Sequence, residues 1–313
     1  MRAIVALRRG GPEVMELREQ PDPVPAPGQV LIRVASAGVN FADVHSIGGH
    51  YAAAPEPPFI PGLEVAGTDP QGRPVTALVT SGGYAELVAA DAALVFPAAG
   101  DDLSRAGGDL LVTLTSYFAL AEAARLRPGE SVLVTAAAGG LGSTCIQVAR
   151  ALGAGRVIGM ASTPEKRRLA LEQGADEAIG YQDPIPAVDV AVESVGGEVF
   201  DRCLAAVRPL GRIIPLGASS GEPPSVADWD GLRRRNVIVA PISFGMYRRN
   251  HPELVAAQAG PAIEMLRSGR VRPPVSRGLP LVEAELAHRL LTSRQTTGKL
   301  LLVPDPEQTT PIR

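Results

Sequence analysis

The sequence predicts an α/β protein in which a mostly-β region leads into a doubly wound parallel sheet. Three observations carry that prediction. From about residue 131 to residue 240, short apolar runs alternate with helical patterns, one strand and one helix at a time. At the head of this series stands V-L-V-T-A-A-A-G-G-L-G (Val132 to Gly142), which reads as a buried strand, a glycine-rich turn and the start of a helix in direct succession. Before it, residues 1 to 115 consist mainly of short β-type segments punctuated by Gly and Pro.

Taken in order, Ala3 to Leu7 and Val14 to Leu17 read as a strand pair around Gly10-Gly11-Pro12, and Pro21 to Pro27 as a proline-rich connector. Val30, Ile32 and Val34 alternate with polar or small residues, as in a half-buried strand. The stretch from Ala37 to Gly62 reads as irregular chain, and its polar groups Asn40, Asp43, His45, Ser46, His50 and Tyr51 lie where function is commonly placed. Leu63 to Gly67, Val75 to Val79 and Tyr84 to Val88 are further strands, and Ala106 to Ala124 turns helical.

After the organising strand, Leu141, Cys145, Val148, Ala149 and Leu152 recur at helical spacing, and Gly153 ends that helix. Val157 to Met160 is the next strand, and Thr163-Pro164 caps and starts a helix that Gly174 stops. Strands at Ala178-Ile179, Val188 to Val192, Arg212 to Leu216 and Val237 to Ala240, with a helix from Glu198 to Val207, continue the series. Glu253 to Arg267 is a helix broken at Gly260-Pro261, Leu281 to Thr292 is another, and Lys299 to Val303 is a last strand. The tail from Pro304 to Arg313 reads as loose.

Gly139, Gly140 and Gly142 allow the chain to reverse, to approach a ligand closely and to open a helix. Such a helix start gathers unpaired N–H groups at its positive end, so Ala138, Gly139, Gly140, Leu141 and Gly142 form the expected seat of a dinucleotide pyrophosphate. The plain alternative, a βα turn whose glycines only pack, fits the flanking strand and helix less well. An NAD site places a carboxylate at the end of the second strand, whereas Met160-Ala161-Ser162 stands there. Ser162 is small enough to approach and donate to a 2′-phosphate, and Lys166, Arg167 and Arg168 follow at once. For Arg168 a solvated face balanced by Glu172 is the better reading. NADPH is therefore the expected cofactor.

Composition narrows the classes. A chain of 313 residues with 45% hydrophobic content supports about two domains, and a net charge of −3 gives no reason to expect nucleic acid. No apolar run is long enough to span a membrane and the N-terminus lacks a signal-peptide layout, so a cytoplasmic protein is expected. Two cysteines and four histidines, without any C-x-x-C spacing, argue against a zinc site. Cys145 and Cys203 read as buried free thiols.

Five stretches resemble one family: G-V-N-F-A-D-V-H-S-I-G-G-H-Y (Gly38 to Tyr51), P-G-L-E-V-A-G (Pro61 to Gly67), G-G-Y-A-E (Gly82 to Glu86), A-A-A-G-G-L-G (Ala136 to Gly142) and T-T-G-K (Thr296 to Lys299). They are similar, in the same order, to the zinc-independent quinone oxidoreductases of the medium-chain dehydrogenase/reductase superfamily. The resemblance implies a GroES-like catalytic domain from residues 1 to 115 and 251 to 313, with a Rossmann NADPH-binding domain from 116 to 250. It implies a cleft for NADPH, a small quinone or enone substrate, and a homodimer. The connection from Gly67 to Gly82 is shorter than the family's, a change that a surface turn absorbs cheaply. Asp43 and Leu63 stand near the places where zinc-dependent relatives carry Cys and His ligands.

By that resemblance Asn40 lies beside the nicotinamide ribose and the substrate, Tyr51 closes over the same pocket, Thr115 neighbours the nicotinamide, Tyr181 stacks near adenine and Lys166 holds the phosphate. Asn40 and Tyr51 are the candidate donors to the negative oxygen that hydride delivery creates; loop-stabilising hydrogen bonds are the plainer role for both. Gly217 and Phe244 lie at carboxyl ends of predicted strands, where such sheets bind ligands, although a turn glycine and a core ring would look the same. His45 has the ordinary pKa of a proton donor but more simply is a solvated loop residue, and Asp43 holds the loop through its backbone. A short-chain dehydrogenase is excluded, because no tyrosine has a lysine four residues later. An enone or 2-enoyl reductase and a non-enzymatic NADPH-binding protein remain as alternatives.

Overall fold

The computed structural model describes residues 1–304; nearly all of the tail read as loose, residues 305–313, lies outside the described residues. The chain forms two compact units. One contains residues 1–112, 245–268 and the chain from 273 onward, and the other contains residues 113–244 with 269–272.

The first unit opens with β1 (Arg2–Ala6) and β2 (Met15–Glu19), an antiparallel pair. It continues through β3 (Gln29–Val39), α1 (Phe41–Gly48), β4 (Glu64–Thr68), β5 (Pro74–Leu78), β6 (Leu87–Asp91), β7 (Val95–Pro97) and α2 (Leu103–Ala106). Helix α3 (Leu110–Tyr117) leads into the second unit, which holds β8 (Ser131–Val134), α4 (Gly140–Ala151), β9 (Arg156–Met160), α5 (Pro164–Glu172) and β10 (Glu177–Ile179). There follow β11 (Val188–Glu193), α6 (Gly197–Ala206), β12 (Val207–Pro215), α7 (Trp229–Arg235) and β13 (Ile238–Val239). Helices α8 (Phe244–Asn250), α9 (Pro252–Gln258) and α10 (Gly260–Arg267), then β14 (Val275–Pro280), α11 (Ala284–Thr292) and β15 (Lys299–Val303), complete the chain.

Two expectations are corrected. The stretch Ala37 to Gly62 is not irregular throughout: its first residues finish β3, and Phe41–Gly48 is helical. The Asn40 N–H donates to Asp43 Oδ2 at 2.8 Å, satisfying a backbone group that a helix start leaves open, and Gly49 ends the helix at φ 81°. Gly and His in the stretch had obscured a helix of only two turns. The strand expected from Tyr84 begins at Leu87, because Tyr84 N–H is drawn instead to the Pro61 carbonyl at 2.9 Å.

In the first unit the sheet order is β14-β15-β3-β4-β5-β7, with β6 also on β3. β15 and β4 both run antiparallel to β3, so their first residues lie at the end where β3 finishes. That places Lys299, Glu64 and Asn40 together. Ile32, Val34, Val65, Ala77, Leu300 and Leu302 are among the side chains buried in this unit's core.

The second unit is a parallel sheet in the order β10-β9-β8-β11-β12-β13. Counted from β8 this is 3-2-1-4-5-6, the doubly wound order of dinucleotide-binding folds. Its strand order reverses between β8 and β11, the place where such sheets bind ligands. Leu133, Ile158, Ala191 and Ile213, one from each of the four central strands, are fully buried in its core. Arg212 ties the chain before β8 to β12: it donates to the Ala124 carbonyl at 2.6 Å and makes two bonds of 2.8 Å to Glu130. Among the described residues no helix is long and apolar enough to cross a membrane.

Candidate functional site

In the second unit the glycine turn joins β8 to α4. Gly139 is the residue before the helix, with φ −80° and ψ 168°, and its N–H donates to the Ala136 carbonyl at 2.9 Å. The left-handed residue of the turn is Ala136, φ 49°, and none of the three glycines has a positive φ. What the glycines supply here is room. A Cβ on Gly142 would overlap the Ala136 carbonyl oxygen and stand 2.7 Å from its carbon. Ala138 is buried and Leu141 half-buried in the same turn, while Cys145, Val148 and Ala149 carry the buried face of α4.

The Ala136 N–H donates to the Tyr181 hydroxyl at 3.2 Å, so Tyr181 is brought to the glycine turn. At the end of β9, Ser162 is exposed and no carboxylate follows before Glu165. Thr163 caps α5 by accepting from the Lys166 N–H at 3.3 Å, which places Lys166 in the first turn. Arg167 lies beside Gly180, and Arg168 pairs with Glu172 at 3.6 Å, as the solvated-face reading of Arg168 expects.

Gly217, just past β12, is exposed, and a Cβ there would meet only the Ser194 carbonyl at 3.6 Å. Phe244 is buried and packs on Phe118 at 5.1 Å, so its side chain serves the core; Thr115 is half-buried on α3. In this unit one group carries no signal in the sequence. Glu193, at the carboxyl end of β11 beside the switch point, is fully buried and accepts from the Val195 N–H at 2.6 Å and the Gly196 N–H at 3.1 Å. Burial pushes its pKa up against those bonds.

In the first unit Asn40 sits at the centre of a buried polar group. Its Nδ2 donates to the Gly38 carbonyl at 3.2 Å and to Glu64 Oε1 at 3.0 Å, and its Oδ1 accepts from Lys299 Nζ. Those partners fix the amide orientation, since a flip would face oxygen to carboxylate and nitrogen to ammonium. Both amide hydrogens are thus engaged within the protein. Lys299 also bonds Glu64 Oε1 at 2.9 Å and the Val39 carbonyl at 3.1 Å; Glu64 Oε2 takes the Leu111 N–H at 2.9 Å. The pair is sealed, with Lys299 3% and Glu64 0% exposed.

Beside it lies a second buried chain. The Tyr84 hydroxyl donates to Asp43 Oδ2 at 3.1 Å and stands 3.1 Å from His288 Nε2. With that proton given to the carboxylate, His288 must donate from Nε2, which leaves Nδ1 as a bare lone pair. Nδ1 has no partner, consistent with the neutral Nε2–H tautomer. Burial holds His288 down at about 4 and pushes Asp43 up to about 6. His45, by contrast, is half-buried on α1 and its pKa is lowered by burial and then by His50.

These shifts have opposite signs in stability. His288 binds its proton in the unfolded chain below its ordinary 6.5 but in the fold only near 4, so its contribution is lost as pH falls across that window. Asp43 keeps its proton up to about 6 in the fold against 3.8 unfolded, so its contribution is lost as pH rises across that window. In His288→Leu the first effect disappears. The stability deficit of that variant is expected to shrink by about 2 kcal/mol as pH falls from about 7 to about 4.5. Thermal melts of both proteins across that range check it, and a deficit independent of pH would refute it.

Tyr51 is half-buried, its hydroxyl fills the space that Gly245 leaves, and burial raises its pKa against the pull of the Arg248 charge. Asn40 and Tyr51 both belong to the first unit, while the other residues expected at the dinucleotide belong to the second. Arg248, Glu64, Lys299, Tyr84 and His288 carry no local signal for a shared site; only the fold assembles them.

Comparison with known proteins follows the same lines. A family model described as an alcohol dehydrogenase GroES-like domain matches residues 26–68, and one described as a zinc-binding dehydrogenase matches residues 173–302. The quinone oxidoreductase of Pseudomonas aeruginosa is 34% identical across 94% of this chain and 97% of its own. A 2-haloacrylate reductase from a Burkholderia species is 30% identical, covering 96% and 98%. The quinone oxidoreductase of Thermus thermophilus, solved also in complex with NADPH, superposes with a TM-score of 0.83 at 37% identity, covering 97% of this chain and 100% of that one. Among the described residues no group of three His, Cys, Asp or Glu side chains is placed to hold a metal ion.

Proposed function

The chain belongs to the medium-chain dehydrogenase/reductase superfamily, beside its quinone oxidoreductases, and from that premise we propose an NADPH-dependent enzyme that delivers a hydride to a quinone or related conjugated carbonyl without zinc. The observation that carries the cofactor is the end of β9: Ser162 without a carboxylate, followed by Lys166 in the first turn of α5. A charge-assisted bond from one lysine contributes about 1.5–3 kcal/mol, or roughly ten- to a hundredfold in preference. NADPH is therefore expected to bind that much more tightly than NADH, and Lys166→Glu to erode the difference mainly by weakening NADPH. Equal dissociation constants for the two cofactors, titrated by fluorescence at one ionic strength, would overturn this.

NADPH, when bound, supplies the hydride. The chain's part is to seat and orient. The turn from Ala138 to Gly142 offers backbone N–H groups to the pyrophosphate, Tyr181 stays at that turn, and Thr115, Gly217 and the backbone at Phe244 are the neighbours proposed for the nicotinamide half. Asn40, whose hydrogens are committed, contributes the second lone pair of Oδ1 as an acceptor for a ribose hydroxyl. Tyr51 is then the donor toward the acceptor's developing negative oxygen. The first unit is thus the proposed catalytic domain and the second the NADPH-binding domain. Assembly as a homodimer would appear as twice the monomer mass in light scattering.

Zinc has no place in this scheme. Leu63 offers no ligand, and Asp43 is fully buried, held through Oδ2 by Tyr84 and the Asn40 N–H. Oxidation of NADPH with a panel of quinones and enones, in the presence of a chelator, tests the whole proposal. Loss of activity that zinc restores would remove the zinc-free part, and no turnover with any acceptor would leave a non-enzymatic NADPH-binding protein. The relative that reduces 2-haloacrylate favours a second reading, reduction of a conjugated C=C bond, and the same panel separates the two.

A further inference from the structure

We propose that Glu193 is a positioning residue for the nicotinamide end of the cofactor, fixing the backbone that follows β11 and, through it, the loop after β12 that carries Gly217; this rests on the NADPH reading above. Glu193 ends β11 and is 0% exposed, and no step of the proposed reaction uses its charge. Both carboxylate oxygens are turned onto the chain that follows. Oε1 accepts from the Val195 N–H at 2.6 Å and the Gly196 N–H at 3.1 Å, and Oε2 accepts from the Gly196 N–H at 3.1 Å. Just past β8, the Thr135 hydroxyl accepts from the Ser194 N–H at 3.0 Å and donates to Glu193 Oε1 at 3.4 Å. The consecutive N–H groups of residues 194 to 196 are thereby taken up by one carboxylate and the hydroxyl beside it.

The carbonyls of the same stretch hold the next loop. The Glu193 carbonyl accepts from the Leu216 N–H at 2.7 Å and the Ser194 carbonyl from the Ser219 N–H at 3.0 Å. The Val195 carbonyl accepts from the Ser220 N–H at 2.9 Å and from Ser220 Oγ at 2.6 Å. Gly217 lies between the first two of these ties, so its place is set by the residues that Glu193 holds. The loops also close on each other at Gly196, φ 79°, where a Cβ would overlap the Glu222 carbonyl oxygen. All of this lies in the second unit, at the carboxyl ends of β11 and β12. Seated at the entry to α6, the Glu193 carboxylate fills from within the chain the place where that helix would draw an anion. The cofactor's phosphates are left to the start of α4, and its uncharged reduced ring to this pair of loops.

The test compares NADPH with 2′-phospho-adenosine diphosphoribose, a fragment that keeps the phosphates and lacks the nicotinamide. Glu193→Gln is expected to weaken NADPH about tenfold, since its amide turns N–H toward backbone N–H, while the fragment changes less than about twofold. Ser220→Ala removes one tie between the loops and is expected to weaken NADPH about fivefold, again sparing the fragment. In the Glu193→Gln background the same change should add less than about twofold, because both act on one pair of loops. Wild-type NADPH affinity in Glu193→Gln would overturn the proposal, as would equal losses for the two ligands, the mark of a unit loosened throughout. Should Glu193→Gln not fold, Ser220→Ala decides alone, and an unchanged NADPH affinity there overturns the proposal. A second arm reads the ring itself. At saturating NADPH the fluorescence anisotropy of the bound dihydronicotinamide should fall in Glu193→Gln, and an unchanged value means that the ring is held without Glu193. Wild-type protein that binds neither ligand removes the NADPH reading and this proposal together; wild type that binds both, with variants that lose both alike, removes the proposal alone.

Discussion

Lys299→Met is expected to destabilise the first unit by about 3–5 kcal/mol, the cost of leaving one member of a sealed ion pair without its partner. Glu64 has no route to water: it is 0% exposed, and the groups that remain to it are the Leu111 N–H and the Asn40 amide. The size of the effect comes from the orphaned carboxylate more than from lost attraction. A double variant, Lys299→Met with Glu64→Leu, should therefore recover much of the loss, because it removes the unpaired charge while keeping apolar volume. Denaturant unfolding of the three proteins decides the matter. A single variant within about 1 kcal/mol of wild type would mean that water or a rearranged side chain reaches Glu64. Asn40 loses an anchor in the same variant, so turnover should fall under conditions where the protein remains folded.

That pair marks the boundary of what the sequence discloses. Lys299 and Glu64 are 235 residues apart, and Lys299 and Asn40 are 259 apart. No periodicity links positions so distant; the antiparallel placement of β15 and β4 on β3 does. Features written within a few residues were legible. The strand, turn and helix from Ser131 to Ala151 and the Thr163-Pro164 cap of α5 follow from local chemistry alone. Helix α1 was not, since Asp43 bonding back to Asn40 is a three-residue device inside a stretch whose Gly and His argue for loop. The roles of Asn40 and Tyr51 were not separable either. Both are polar residues of one stretch, and only their surroundings, two acceptors for the Asn40 hydrogens and the space Gly245 leaves for the Tyr51 hydroxyl, distinguish them.

Gly142→Ala is expected to abolish measurable NADPH binding, a loss of at least about a hundredfold, and to cost about 1–3 kcal/mol of stability in the second unit. The atoms that a Cβ at 142 would strike are all backbone: the Ala136 oxygen, the Ala136 carbon at 2.7 Å and the Ala137 Cα at 2.9 Å. No side-chain rotation relieves that clash. Either α4 withdraws from the end of β8 or the turn opens, and both displace the N–H groups that would face a pyrophosphate. Gly139→Ala is the control within the same turn. Its φ of −80° suits any residue, and its Cβ would meet only the Ala136 oxygen at 3.3 Å. Its stability should stay within about 1 kcal/mol of wild type, so any loss of NADPH affinity in that variant reports the approach of the ligand and not a damaged fold. Wild-type affinity in Gly142→Ala would mean that the turn yields without disturbing the N–H groups, and the pyrophosphate seat would then have to be sought elsewhere on the second unit.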